Sequence, residues 1–127
     1  MKQKSFFVKT LSRLLFEKIN KTSKVFCQVS PWKNKIQIKG KIFALSSLKQ
    51  WEMGNPSVNL KCNPDLAKEW RLQYEAIQPG FHMNKNHWNT VAINTTISSL
   101  FLKEMIDLSY NLVFNSLTKK VQKEVLI

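Results

Sequence analysis

The chain has 127 residues, 43% of them hydrophobic and 11% aromatic, which suits one globular domain with a buried core. Because no stretch approaches the roughly 18 uninterrupted apolar residues of a membrane-spanning helix and no signal-cleavage site follows the first residues, we expect neither a membrane protein nor a secreted one. Residues 1–62 contain thirteen Lys or Arg against two acids, whereas residues 63–127 contain seven against six, and the formal net charge is +12. Such an excess attracts polyanions, so DNA, RNA and anionic membrane are the candidate partners.

The two cysteines, Cys27 and Cys62, do not have C-x-x-C spacing. We expect two free thiols in a cytoplasmic protein, because a reducing compartment disfavours disulfides. A bridge between the two remains the alternative.

The first predicted element is an amphipathic helix over residues 5–19. Phe7, Leu11 and Leu15 recur at helical spacing, and the charged residues fall mostly on other faces. We favour a helix that packs one face on a sheet. A helix lying on a membrane surface, or a targeting segment, is the other interpretation.

Alternating polar and apolar residues then predict three strands. KIQIK (35–39) and KIFALSS (41–47) flank a tight turn at Gly40. SVNLKC (57–62) alternates again after a loop marked by residues 54–56, a Gly, an Asn and a Pro.

The second half predicts a helix, a hairpin and a long helix. Asn63 and Pro64 are typical of a helix start, and apolar spacing continues to about Glu75. The stretch PGFHMNKNHWNT (79–90) runs into NTVAI and reads as a hairpin. A wide apolar surface predicts a helix from Thr96 to about Leu117, and residues 118–127 form a polar tail that we expect to fray.

The predicted order is therefore α, three strands, α, two strands, α. Short connections make the strands antiparallel, so the expected fold class is α+β: a two-layer sandwich with helices on one face of an antiparallel sheet. We expect residues 1–127 to form a single domain.

Catalytic motifs are scarce. The chain has three glycines, too few for a phosphate-binding loop, and no G-x-S-x-G elbow. Cys62, His82 and His87 match no established zinc spacing. Asp107 and Ser109 would need a histidine brought to them for Ser-His-Asp chemistry. We expect no catalysis, no metal and no cofactor.

Residues 82–90 suit contact with nucleic acid better. Lys85 can neutralise a phosphate, Trp88 can stack on a base, and the side-chain amides of Asn84, Asn86 and Asn89 can bond to phosphates or base edges. Further phosphate contacts would come from lysines of the strands and their turns: Lys33, Lys35, Lys39, Lys41 and Lys61. The alternative role for Trp88 is an anchor that holds this loop to the core, and we favour it.

Several segments also resemble the MmcQ/YjbR family of small bacterial proteins. They occur in the family's order across roughly residues 36–120: GKIFAL (40–45), NLKCNPDLA (59–67), PGFHMNKNHWNTV (79–91), IDLSYNLV (106–113) and LTKK (117–120). Residues 1–29 have no counterpart in the resemblance, and SPWKNK (30–35) is basic where the family carries an acidic loop.

The resemblance implies a secretion-chaperone-like fold of order α-β3-α-β2-α and a DNA-binding role attributed to a winged, helix-turn-helix-like arrangement. We therefore expect a monomeric DNA-binding protein. Its predicted nucleic-acid contacts are Lys41, Lys61, Asn84, Lys85, Asn86, His87 and Asn89. The alternative is a module with a pocket for a small ligand or a protein, walled by His82 and Trp88.

Overall fold

A computed structural model of the chain describes residues 25–29, 33–47, 50, 52–94 and 96–126. Within these ranges the chain forms six strands and three helices. The strands are β1 (Val25–Val29), β2 (Lys33–Ile38), β3 (Lys41–Ser47), β4 (Ser57–Lys61), β5 (Ile77–Pro79) and β6 (Trp88–Ala92). The helices are α1 (Pro64–Gln73), α2 (Ser99–Ser116) and α3 (Lys119–Leu126). The helix predicted at 5–19 lies outside the described residues.

The strands form an antiparallel sheet of order β1-β2-β3-β4-β6-β5. Helix α2 packs on β3 and β4, and α1 packs on β5 and β6. The predicted α+β class is confirmed. None of the helices in the described part of the chain is long and apolar enough to span a membrane.

The two faces of the sheet differ in character. Val58 of β4 lies opposite Val91 of β6, which lies opposite Ile77 of β5. All three side chains are buried in the core on the face of the sheet that the helices cover. Strand alternation turns their neighbours to the other side, where Asn59 lies opposite Thr90. We call this second side, which carries Asn59 and Thr90, the opposite face.

Helix α2 completes the ladder between β3 and β4 with a side chain. Directly paired residues of these strands are Ala44 with Leu60 and Leu45 with Asn59. Phe43 and Lys61 are the next residues of the two strands beyond the Ala44–Leu60 pair. Here the Ser109 hydroxyl accepts a hydrogen bond from the Lys61 N–H (2.8 Å) and donates one to the Phe43 carbonyl (2.5 Å). A serine of α2 therefore joins two backbone groups of neighbouring strands.

Local signals placed several boundaries correctly. The turn between β2 and β3 has positive φ at Lys39 (49°) and Gly40 (81°), as a two-residue hairpin turn requires. The Asn63 side chain accepts a hydrogen bond from the Asp65 N–H (3.0 Å), which is the predicted helix cap.

Two described elements differ from the prediction. Strand β1 precedes the strands that were predicted, and residues 119–126 form a helix where a frayed tail was expected. Val125 of α3 is buried in the core, and Glu124 forms an ion pair with Lys39 (3.3 Å). The Gln122 amide donates to the carbonyls of Phe114 and Leu117, which satisfies the end of α2.

Candidate functional site

The segment between β5 and β6, residues 80–87, is the connection that the sequence predicted as a hairpin, and we call it the 80–87 loop. The Gly80 N–H donates to the Trp88 carbonyl at 2.9 Å, which closes the base of the loop. A Cβ on Gly80 would lie 2.7 Å from the Cβ of Trp88, closer than side chains approach. The two ends of the loop therefore meet at a position that only glycine fits.

Arg71 of α1 clamps this loop, and sequence reasoning missed it. Its Nε donates to the side-chain carbonyl of Asn89 at 2.7 Å. Its Nη2 donates to the backbone carbonyls of Trp88 (3.3 Å) and Lys85. The available signal was chemical: a guanidinium presents five donors in a rigid fork, so one arginine can satisfy several carbonyls of a tight loop.

Asn89 is a correction to the predicted nucleic-acid contacts. It pairs with Leu60, so it points toward the helices, and it is 2% exposed. Its side-chain carbonyl is bound by Arg71, and its amide nitrogen faces the Ala67 carbonyl of α1 at 3.4 Å. Asn89 therefore ties the loop to α1 and is not accessible to a nucleic acid in this structure.

The other predicted contacts of the loop are exposed. Asn84 shapes the turn, because its side-chain oxygen accepts the Asn86 N–H at 2.9 Å. The Lys85 ammonium donates to the Gly80 carbonyl at 3.1 Å and retains further N–H groups for a partner. Lys85, Asn86 and His87 thus form the outward surface of residues 84–87.

The two predicted strand lysines lie on different sides of the sheet, and only Lys61 lies beside this turn. Lys61 pairs with Trp88, and strand alternation places it on the opposite face beside the 84–87 turn. The neighbouring Cys62 N–H donates to the His87 carbonyl at 2.8 Å. Lys41 instead reaches the Ser116 hydroxyl at the end of α2, at 3.4 Å. Lys61 is the strand lysine associated with the loop.

The alternative prediction placed His82 and Trp88 together in the wall of a pocket. A cleft of about 770 Å³ lies on the opposite face, and His82 lines it together with Phe81. Trp88 is not among the described residues that line it. Trp88 also lies outside the described hydrophobic core, so Arg71 and Asn89 fix the loop where Trp88 was expected to do so.

The structure does not assemble a Ser-His-Asp site. Ser109 is fully buried and bonded to two backbone groups, while Asp107 pairs with Lys103 at 3.0 Å. Among the described residues, no three side chains of His, Cys, Asp or Glu are grouped so that they could hold a metal ion.

Cys62 is a free, buried thiol, and burial raises its pKa to about 11. Raising a thiol pKa by about two units lowers the thiolate fraction at neutral pH about a hundredfold. In a Cys27→Ser background, we expect Cys62 to react with a thiol reagent at least that much more slowly in the folded protein than in urea. Measuring both rates at pH 7 checks this, and equal rates would contradict it.

The amino-acid sequence of the chain is similar to those of known proteins. A model of the YjbR family matches residues 23–112. The uncharacterised Escherichia coli protein YbdF is 43% identical over 89 residues, covering 70% of each chain. The uncharacterised Escherichia coli protein YjbR is 32% identical over 93 residues, covering 72% of this chain and 76% of the relative.

Solved structures show the same fold. A Deinococcus radiodurans protein superposes with a TM-score of 0.73 at 27% identity, covering 80% of this chain and 78% of its own. A Pseudomonas syringae protein superposes with a TM-score of 0.66 at 22% identity, covering 80% of this chain and 97% of its own, and this second likeness concerns the fold alone.

Proposed function

The chain belongs to the YjbR family, and from that premise we propose that it is a cytoplasmic, non-catalytic DNA-binding protein. The relatives above are described as uncharacterised, so the proposal depends on the residues of this chain. We place the contact surface at Lys61 and the 84–87 turn.

The observation that carries the proposal is the position of Lys61 beside that turn. Lys61 pairs with Trp88, the residue that follows the turn, and the Cys62 N–H bonds to His87 within it. Two ammonium groups, Lys61 and Lys85, therefore accompany the exposed side chains of Asn86 and His87 at one end of the sheet. Ammonium groups neutralise phosphates, while amide and imidazole groups donate to phosphate or base-edge acceptors.

The rigidity of the turn supports the same role. Arg71 bonds to two backbone carbonyls near the turn, and Asn84 accepts a backbone N–H within it. A preformed surface loses little conformational entropy when it binds, so more of its contact energy appears as affinity.

The net charge of the protein adds an attraction to nucleic acid that does not depend on the base sequence. The formal charge of +12 draws the protein toward a polyanion and releases counterions on binding. Affinity for duplex DNA should consequently fall steeply as salt concentration rises.

A salt series with a Lys61→Ala/Lys85→Ala variant tests the proposal. Each phosphate contact contributes about 0.9 to the slope of log affinity against log salt, so loss of two contacts should reduce that slope by roughly 1.8. We expect the variant to bind duplex DNA more weakly at every salt concentration. Fluorescence anisotropy with duplex DNA, single-stranded DNA and RNA in parallel gives the slopes and the preferred nucleic acid.

The matched control is Lys68→Ala/Lys120→Ala, which removes the same charge from α1 and α3. It should lower affinity through net charge alone and leave the slope closer to that of the unmodified protein. Equal slopes for the two double variants, or no duplex binding at low salt, would reject the proposed surface.

A further inference from the structure

The cleft on the opposite face has the dimensions of a small-molecule site. Its volume of about 770 Å³ falls within the range of about 300–1,000 Å³ that such sites occupy. Asn59 and Thr90 of the sheet form part of its floor. Met53, before β4, and Phe81 and His82, after β5, lie on two loops that border it.

Apart from the His82 imidazole, the polar side chains among the described lining residues are amides and hydroxyls. The lining includes the side-chain amides of Gln50, Asn55 and Gln78 and the hydroxyls of Ser47 and Ser57. Among the described lining residues none carries a carboxylate, ammonium or guanidinium group. A charged ligand would lose hydration there without meeting an opposite charge, whereas amides and hydroxyls match a ligand that both donates and accepts hydrogen bonds.

Phe81 gives the cleft an exposed aromatic surface. Its side chain is 60% exposed, and its ring centroid lies 4.1 Å from that of His82. Met53, also exposed, is a flexible and polarisable side chain that packs well against flat rings. An aromatic ring presented in this way gains most from a planar ligand stacked on it.

Side chains on the floor of the cleft hold the backbone of Phe81. The Phe81 N–H donates to the Thr90 hydroxyl at 2.9 Å, and the Asn59 amide approaches the Phe81 carbonyl at 3.4 Å. The Thr90 hydroxyl also donates to Asn59 at 2.5 Å. The next residue, His82, has a φ of 59°, a conformation that costs of order 1 kcal/mol outside glycine. The backbone that carries the Phe81–His82 pair is therefore held by the floor of the cleft.

We infer that this cleft binds an uncharged planar heterocycle with hydrogen-bonding edges, of the nucleobase or nucleoside type. Phe81 stacks on the ring, and the amides and hydroxyls of the lining bond to its edges. The inference is independent of DNA binding, because Lys61 and Lys85 are outside the described lining.

NMR titration of the isotopically labelled protein with adenosine, guanosine, cytidine and uridine tests the inference. We expect saturable binding of at least one nucleoside, with amide shifts centred on residues 50–59, 78–82 and 90–94. Phe81→Ala should weaken that binding about tenfold or more, as loss of one stacked base does. Phe81→Trp keeps a stacking surface and should retain affinity.

Leu72→Ala is the matched control, since Leu72 is another exposed apolar side chain, on α1 and outside the lining. It should leave nucleoside affinity unchanged, as should Lys61→Ala/Lys85→Ala. Adenosine monophosphate should bind no better than adenosine, because no ammonium or guanidinium group is among the described lining residues. Failure of all four nucleosides to saturate, equal affinity in Phe81→Ala, or a large gain from the phosphate would overturn the inference.

Discussion

Replacing Ser109 with Ala should lower the free energy of unfolding by about 2–4 kcal/mol. The change removes the hydroxyl that joins the Lys61 N–H to the Phe43 carbonyl, at a side chain that is 0% exposed. Both backbone groups would remain buried without a partner, and each unsatisfied group costs about 1–3 kcal/mol. Urea denaturation followed by circular dichroism measures the loss as a lower midpoint, with the m-value unchanged from that of the unmodified protein.

The control residue is Ser116, the last residue of α2. Ser116→Ala also removes a hydroxyl from α2, but Ser116 is exposed and donates within its own helix, to the Val113 carbonyl at 2.6 Å. We expect its effect to stay within about 0.5 kcal/mol. If Ser109→Ala matched Ser116→Ala, β3 and β4 would be able to close and pair their backbones directly, and the bridging role would be wrong.

Ser109 also shows what the sequence could not reveal. From the sequence we considered it beside Asp107 and expected no catalysis, but we did not predict the bridge between β3 and β4, because the partners of Ser109 lie 48 and 66 residues away along the chain. Those partners become neighbours only once β3, β4 and α2 are assembled. By contrast, the boundaries of β3 and the cap at Asn63 follow from neighbouring residues, and the sequence predicted them.

The missed elements have weak local patterns for physical reasons. VFCQV (25–29) has three apolar residues in succession, so it does not alternate as a strand with one buried face does. Residues 119–126 are rich in lysine, and the described side chains of α3 that pack on the core are Val121 and Val125, four residues apart. Tertiary packing of that narrow stripe stabilises a helix that composition alone does not suggest.

From the sequence we selected residues 82–90 as a candidate site but assigned positions 88 and 89 to the wrong faces of β6. A large aromatic at position 88 was expected to reach the core, and the asparagine after it was expected to face outward. The register reverses this, since Trp88 pairs with Lys61 and Asn89 pairs with Leu60. A shift of one residue exchanges the faces of a strand, so this assignment required knowledge of the pairing. The polar residue is consequently the buried one, and it needs the partner that Arg71 supplies.

Arg71→Met should therefore lower the free energy of unfolding by about 2 kcal/mol and loosen the 80–87 loop. Methionine keeps most of the apolar stem but leaves the Asn89 carbonyl buried without its donor and frees the carbonyl of Lys85. Hydrogen exchange at Gly80 and His87, whose N–H groups bond within and across the loop, should become faster than in the unmodified protein. Urea denaturation gives the global loss, and exchange measured by NMR gives the local one.

Arg71→Lys separates geometry from charge. Lysine preserves the positive charge, but its donors share one nitrogen and cannot span the carbonyls that the planar guanidinium fork reaches, so we expect most of the stability loss to persist. Leu72→Ala, at the exposed neighbour, should be nearly neutral in both measurements. If Arg71→Lys retained full stability, the charge near the loop would matter and the fork would not. If the fork is what holds the turn, Arg71→Met should also weaken the proposed DNA binding while leaving its salt slope unchanged, because Lys61 and Lys85, the lysines proposed to contact phosphates, remain and only their ordering is lost.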